Sequence, residues 1–249
     1  MDNQHMNYSV AITTFNRRFD LFKNILTKVK NQRPNIETLV FINGLTNLPF
    51  DEEYRKNILE FISPFENTFP IVFPEFRSNS RFWNMSCQLI TNDNVLILQD
   101  DIDMEETFFD DFDSSYQSLS DQCFYINGSF GGLYLNKYKV DNLNWFDERY
   151  IGIGHEDGTF IRKYSSEYGS MPILNIESLN NRYDLEWQKD LLNNEIRLDG
   201  QRLENKFNRF SSFNEEISSL INDELPVHGT PTMNQYPYEK FYWENKNNL

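Results

Sequence analysis

The sequence predicts an α/β fold, a mostly parallel sheet flanked by helices. Three observations carry this prediction. Short β-prone runs alternate with helical patterns from Tyr8 to Asp101, and such alternation implies parallel strands joined by crossover helices. One run, Val95-Leu96-Ile97-Leu98, ends abruptly in Gln99-Asp100-Asp101-Ile102-Asp103. A later glycine-punctuated stretch, Ile151-Gly152-Ile153-Gly154-His155-Glu156-Asp157-Gly158, brings two adjacent carboxylates to the start of a helical pattern.

Tyr8 to Thr14 alternates and is β-prone, so it reads as the first strand. Phe19, Phe22, Ile25, Leu26 and Val29 then recur at helical spacing, and Pro34 closes that region. Thr38 to Ile42 reads as a second strand ending at the turn Asn43-Gly44. A helix over Glu53–Ile62, a short strand over Phe69–Phe73 and a helix over Phe82–Thr91 lead to the acid-tipped run. That run is too short for a helix and reads as a buried strand. Phe124–Ile126 and Ser129–Leu135 read as further strands, the second around Gly131-Gly132. Phe160-Ile161-Arg162 opens a helical pattern after the glycine-punctuated loop. Leu185 to Glu224 is polar and helix-prone with a break at Gly200, and an aromatic, proline-bearing tail runs from Pro226 to Leu249.

Composition narrows the function. The chain has 249 residues, enough to bury a sizeable core in one large domain or two small ones. Lys and Arg number 23 against 38 Asp and Glu, a formal charge of -15. This argues against nucleic acid as a partner, because phosphate neutralisation needs basic patches. A nucleotide stays compatible, since a metal ion can offset its charge. The 22 Phe and 13 Tyr fill a core first; some could line a sugar site. Cys87 and Cys123 lack metal-ligand spacing and read as reduced, buried thiols of a cytosolic protein. No apolar run reaches membrane-spanning length, and the polar stretch from Met1 to Asn7 is not a signal peptide.

The acid cluster is the first candidate site. Strand ends of this kind are where open α/β sheets bind ligands. Clustered carboxylates repel and call for a cation, and oxygen ligands suit a hard ion such as Mg²⁺ or Mn²⁺. A solvated acidic turn is the alternative for the same residues. Glu156-Asp157 is the second candidate. Carboxylates near a helix N-terminus are held ionised by its positive end and can act as a general base; an N-terminal cap is the alternative. Of the three histidines, His5 lies in a polar tail, His155 lies in the glycine-punctuated loop, and His228 follows the helix-prone region.

The order of these pieces resembles the GT-A glycosyltransferases. The residues that carry the resemblance are Thr13-Thr14-Phe15-Asn16-Arg17, the acids near residue 100, Gly131-Gly132, and Phe146-Asp147-Glu148-Arg149-Tyr150 running on to Glu156-Asp157. The pattern is most similar to inverting, family-2-like bacterial enzymes and to the β-1,4-galactosyltransferase type. Val95 to Asp103 also looks like the Glu-Asp-Asp strand of the N-acetylglucosaminyltransferase I type. The resemblance covers roughly residues 8 to 165.

The resemblance implies a GT-A (Rossmann-like) fold with a mostly parallel, mixed sheet. It implies transfer of a hexosyl or N-acetylhexosaminyl group, with inversion, from a nucleotide-sugar such as a UDP-sugar. The acceptor would be a glycan, a lipid-linked glycan or another hydroxyl, in bacterial surface-polysaccharide synthesis. Asp101 falls on the ligand of Mn²⁺ or Mg²⁺, and Asp103 is a further ligand if the motif starts at Asp101. His228 matches the C-terminal histidine that completes the metal shell in many such enzymes; a surface loop histidine is its alternative. Thr13, Arg17, Asn43, Arg81, Asp100, Gly131 and Gly132 fall on the nucleotide-sugar site, with Asn84 beside Arg81. Asp157 falls on the catalytic base, with Glu156 beside it.

The departures are Gln99 for an acid, Asn43 for an Asp, His155 for a glycine, and Ile151 and Ile153 where the galactosyltransferase type has tryptophans. Residues 1–184 form the transferase domain on this reading, with a donor half at about 8–103 and an acceptor half at about 104–184. Residues 185–249 form a C-terminal helical extension and tail, whose roles include covering the acceptor or a homo-oligomer contact. The location implied is cytoplasmic, with peripheral contact at the inner membrane face as a variant. Two other classes are set against this one. A nucleotidyltransferase shares the strand-end acids but carries a glycine-rich basic loop, and Thr13 to Arg18 holds no glycine. The second is a non-catalytic carbohydrate-binding protein on a degenerate transferase fold.

Overall fold

Strand β1 (Ser9–Phe15) is buried from Ser9 to Thr14, with apolar Val10, Ala11 and Ile12 at its middle. It pairs in parallel with β2 (Thr38–Asn43) on one side and β4 (Asn94–Gln99) on the other. These elements belong to a computed structural model that describes residues 8–15, 19–44, 51–74, 77–148, 150 and 156–181. Arg17, Gly154, His155, His228 and the predicted extension 185–249 lie outside the described residues. The chain divides into two compact units. The first comprises residues 1–77, 82–142 and 171–181; the second comprises 78–81, 143–170 and 182–249.

The first unit is built on a seven-stranded sheet of order β3-β2-β1-β4-β7-β6-β8. Strand β3 (Thr68–Val72) extends the parallel run beside β2, while β7 (Ser129–Asn136) is antiparallel to both β4 and β6 (Phe124–Ile126). Strand β8 (Ile173–Leu174) closes the far edge, parallel to β6. The sheet is therefore mixed, as expected. Helix α1 (Phe19–Gln32) buries Phe22, Ile25, Leu26 and Val29, the positions that the spacing picked out, and α2 (Glu52–Ile62) buries Tyr54, Ile58 and Ile62. Asp51 caps α2 by accepting from the backbone N–H groups of Glu53 and Tyr54 at 3.0 Å each. Both helices pack on the face formed by Val10, Ile12, Val40, Ile42, Leu96 and Leu98. Helix α3 (Asn79–Leu89) serves the opposite face, where the Phe82 ring lies 5.7 Å from that of Phe41.

Several elements were not foreseen from sequence. Strand β5 (Ile102–Met104) leaves the main sheet and pairs antiparallel with β9 (Leu179–Asn181). Helix α4 (Phe108–Ser115) then buries Phe108, Phe109 and Phe112 in the same core as α1 and α2. Helix α5 (Lys137–Asn142) follows β7 directly. The aromatic excess is explained here: Phe112 stacks on Tyr116 at 4.8 Å and Phe124 on Tyr134 at 4.6 Å. Such pairs add to the burial of their large apolar area.

In the second unit, α6 (Glu156–Tyr168) buries Thr159, Phe160 and Tyr164. Phe146 stacks on Phe160 with ring centroids 3.8 Å apart, and the Tyr150 hydroxyl meets that of Thr159 at 2.7 Å. Asn144 and Trp145 both have positive φ, 55° and 63°, and the Lys163 ammonium donates to the Trp145 carbonyl at 2.9 Å. A bulky residue rarely adopts this conformation, and the lysine helps hold it.

Candidate functional site

The sheet reverses its direction of growth between β1 and β4. From β1 the chain winds outward through α1, β2, α2 and β3, then returns through α3 to place β4 on the other side of β1. That is the topological switch point, the place where open α/β sheets leave a crevice at the strands' C-terminal ends. The parallel register pairs Ile12 with Leu98 and Thr13 with Gln99. One step further brings Thr14 beside Asp100.

Asp100 and Asp101 form the turn that leaves β4. Asp100 is buried, at 2% exposure. Its backbone N–H donates to the Thr13 carbonyl at 3.2 Å, and its Oδ2 accepts the Thr14 hydroxyl at 2.7 Å. Tyr54 brings its hydroxyl to 3.4 Å from the same Thr14 oxygen. A buried carboxylate needs such donors, because it would otherwise be driven toward its neutral form. Asp101 is half-buried. Asp103 lies across the turn in β5, where its Oδ1 meets the Lys28 ammonium at 3.1 Å. The acids are thus split between a strand-end turn and a separate ribbon, and Asp103 already has a cation.

Other predicted residues of the first unit fall around the same strand ends. Thr13 is buried at the end of β1. Asn43 is buried at the end of β2; its amide donates to the Arg77 carbonyl and accepts the Arg77 N–H, both at 2.8 Å. Gly131 and Gly132 lie in β7, with the Gly131 N–H donating to the Ser129 hydroxyl at 3.0 Å. A Cβ on Gly132 would meet Leu179 Cδ2 at 3.0 Å and Ile126 Cβ at 3.2 Å. Gly132 therefore lets β7 pack tightly against these side chains.

The second unit holds the other acids. Arg81, in the first turn of α3, donates to Glu148 Oε2 at 3.1 Å; both side chains are buried, at 9% and 5% exposure. Glu148 belongs to the Phe146-Asp147-Glu148-Arg149 motif, which this ion pair ties to α3. Glu156 and Asp157 occupy the first turn of α6, as predicted, where the helix dipole favours negative charge. Glu156 is buried and its Oε1 accepts from the Asn79 amide at 3.4 Å. Asp157 is half-buried and accepts the Gly158 N–H at 2.6 Å. Asp157 is a helical residue rather than the residue that precedes the helix.

Sequence reasoning missed Thr14, Asn79 and Lys28 as partners of these acids, Tyr54 beside Thr14, and Glu148 as the partner of Arg81. Thr14 alone had a readable signal, since it shares strand parity with Ile12 and faces the same side. The others come from contacts between elements distant in sequence.

A bound metal is tested by the donor set. Among the described residues, no group of three or more His, Cys, Asp or Glu side chains is placed to hold an ion. Mg²⁺ typically takes one or two carboxylates, several waters and substrate phosphates rather than an all-protein cage. Asp101 at the switch point, with Asp100 beside it, fits that mode. Among the described residues no helix is long and apolar enough to cross a membrane.

The fold is that of a GT-A glycosyltransferase. The chain is similar to TarS of S. aureus, itself a GT-A glycosyltransferase, with a TM-score of 0.53 at 14% identity, over 70% of this chain and 36% of that one. The 1–349 fragment of TarS gives a TM-score of 0.53 at 15% identity, over 70% and 59%. The same fragment in complex with UDP gives 0.50 at 15% identity, over 69% and 58%. The chain thus spans less than two thirds of the length of each. No family model matches the chain, and no curated protein matches it.

Proposed function

We propose that this protein is a metal-dependent glycosyltransferase that moves a sugar from a UDP-sugar to a hydroxyl acceptor with inversion, in bacterial surface-polysaccharide synthesis. The observation that carries the reading is the Asp100-Asp101 turn at the β1/β4 switch point of a GT-A fold. The complex of the TarS fragment with UDP supports a uridine nucleotide as the donor's carrier.

In this reading Asp101 holds Mn²⁺ or Mg²⁺, and Asp100 and Thr13 address the nucleotide-sugar. The ion supplies neutralisation of the diphosphate. Asn43 secures the Arg77 segment at the rim, and Gly131 gives the backbone room beside the donor. Arg81, paired with Glu148, fixes the loop that leads to α6. Asp157, the more accessible of the two acids in the first turn of that helix, accepts the acceptor's proton, and Glu156 orients the acceptor. Asp103, Arg17 and His228 are the remaining residues assigned to the donor and its ion. A glycan or lipid-linked acceptor and a cytoplasmic setting belong to the same proposal.

The test is calorimetric. UDP should bind in Mn²⁺ and lose most of its affinity in excess EDTA or after Asp101→Ala. Ligand at about a hundred times its dissociation constant should also raise thermal stability by about 2.7 kcal/mol. Equal UDP affinity with and without metal would overturn metal dependence. No binding of UDP or any UDP-sugar would overturn the donor class.

A further inference from the structure

We infer that Thr14 is a positioning residue for Asp100: its hydroxyl fixes the carboxylate in the orientation that receives the donor nucleotide. The inference rests on the donor-binding reading of Asp100 proposed above.

The geometry comes from parity and register. Tyr8 just before β1, Val10 and Ile12 on β1, and Leu96 and Leu98 on β4 point into one core. Thr14 and Asp100 continue these two columns by one more step each. Val10 and Ile12 in one column and Leu96 and Leu98 in the other are apolar, and at the C-terminal end of the sheet each column ends in a polar side chain. Thr14 is fully buried and Asp100 nearly so, at 0% and 2% exposure. Their 2.7 Å hydrogen bond has the usual length of a well-made O–H···O contact. Valine would fill the same volume, so the core alone does not call for a hydroxyl here. Tyr54 flanks Thr14 from α2, with its hydroxyl at 3.4 Å and its ring edge-on to Phe19. With the Thr14 O–H given to Asp100, the Tyr54 hydroxyl is the donor to the Thr14 oxygen.

The fixed carboxylate plane is what the donor site needs. A free Asp100 could rotate about its side-chain torsions, and each binding event would have to order it again. Thr14 performs that ordering in the unliganded fold.

The experiment is a double-mutant cycle read by UDP titration of the full chain in Mn²⁺, with melting temperature as the folding control. Thr14→Val should weaken UDP roughly tenfold, the loss typical of a hydrogen bond to a charged group. Thr14→Ser should restore most of that affinity. In an Asp100→Ala background, Thr14→Val should change UDP affinity no further. If Thr14→Val does not fold, Thr14→Ala carries the same comparison. An equal loss in both backgrounds, or a fall in melting temperature with UDP affinity unchanged, would overturn the inference and leave Thr14 a packing residue. Wild-type protein that does not bind UDP would instead overturn the donor reading itself.

Discussion

The Asn43 side chain mimics a strand partner for Arg77, donating to its carbonyl and accepting its N–H at 2.8 Å in each direction. This two-point pairing needs one donor and one acceptor on the same planar group, which only an amide supplies at this size. Asn43→Asp keeps the acceptor but turns a second oxygen toward the Arg77 carbonyl, in a fully buried position. The substitution should destabilise the fold by about 1–3 kcal/mol, the cost of an unsatisfied buried polar group. Denaturant unfolding measures this. Unchanged stability with tighter UDP binding would mean that the position serves the base and not the Arg77 segment.

Cys87 and Cys123 are free and buried, and burial raises both thiols, Cys123 from 9.0 to about 12. A thiol-disulfide reagent at pH 8 should therefore modify neither in the native protein and both after denaturation, since the thiolate is the nucleophile. The sign of the pH effect follows. The unfolded chain ionises near 9.0 while folded Cys123 stays neutral, so stability is full below that pH and falls as pH rises toward 12. Buried Tyr8 and Tyr134 are raised too and add to the same alkaline loss. Cys123→Ala should make the decline shallower between these limits. Rapid labelling of the native protein would contradict the burial.

The parallel half of the sheet was legible because its strands and helices carry their own periodicity. β2 and β4 read as near-continuous apolar runs, β1 reads by its alternation, and α1 shows its buried stripe at 3.6-residue spacing. β5 and α4 were not legible. Ile102-Asp103-Met104 is too short to show alternation, and its partner β9 is far away in sequence. Phe108-Phe109-Asp110-Asp111-Phe112 looks like neither period over so few residues, and tertiary burial decides it. For the site, the acids announced themselves by type and position. Their partners did not, because Glu148 beside Arg81 and Lys28 beside Asp103 depend on how distant segments meet.

Asp157 gives the sharpest test of the chemistry. It stands in the first turn of α6, half-buried, with its Oδ1 on the Gly158 N–H at 2.6 Å. Asp157→Asn keeps a carbonyl oxygen for that N–H, so the local hydrogen bond and the helix start survive. The amide cannot accept a proton at neutral pH. Melting temperature and UDP affinity should therefore stay near those of the wild type, while turnover falls roughly 10²-fold or more, the range of a lost general base. Glu156→Gln should be milder, because its Oε1 can still accept from Asn79 and its proposed part is orientation. A purely structural role predicts the opposite pattern, with lower stability in Asp157→Ala and ordinary turnover per folded molecule. All three quantities can be read on one Asp157→Asn preparation, and a folded variant with wild-type turnover would remove Asp157 as the base.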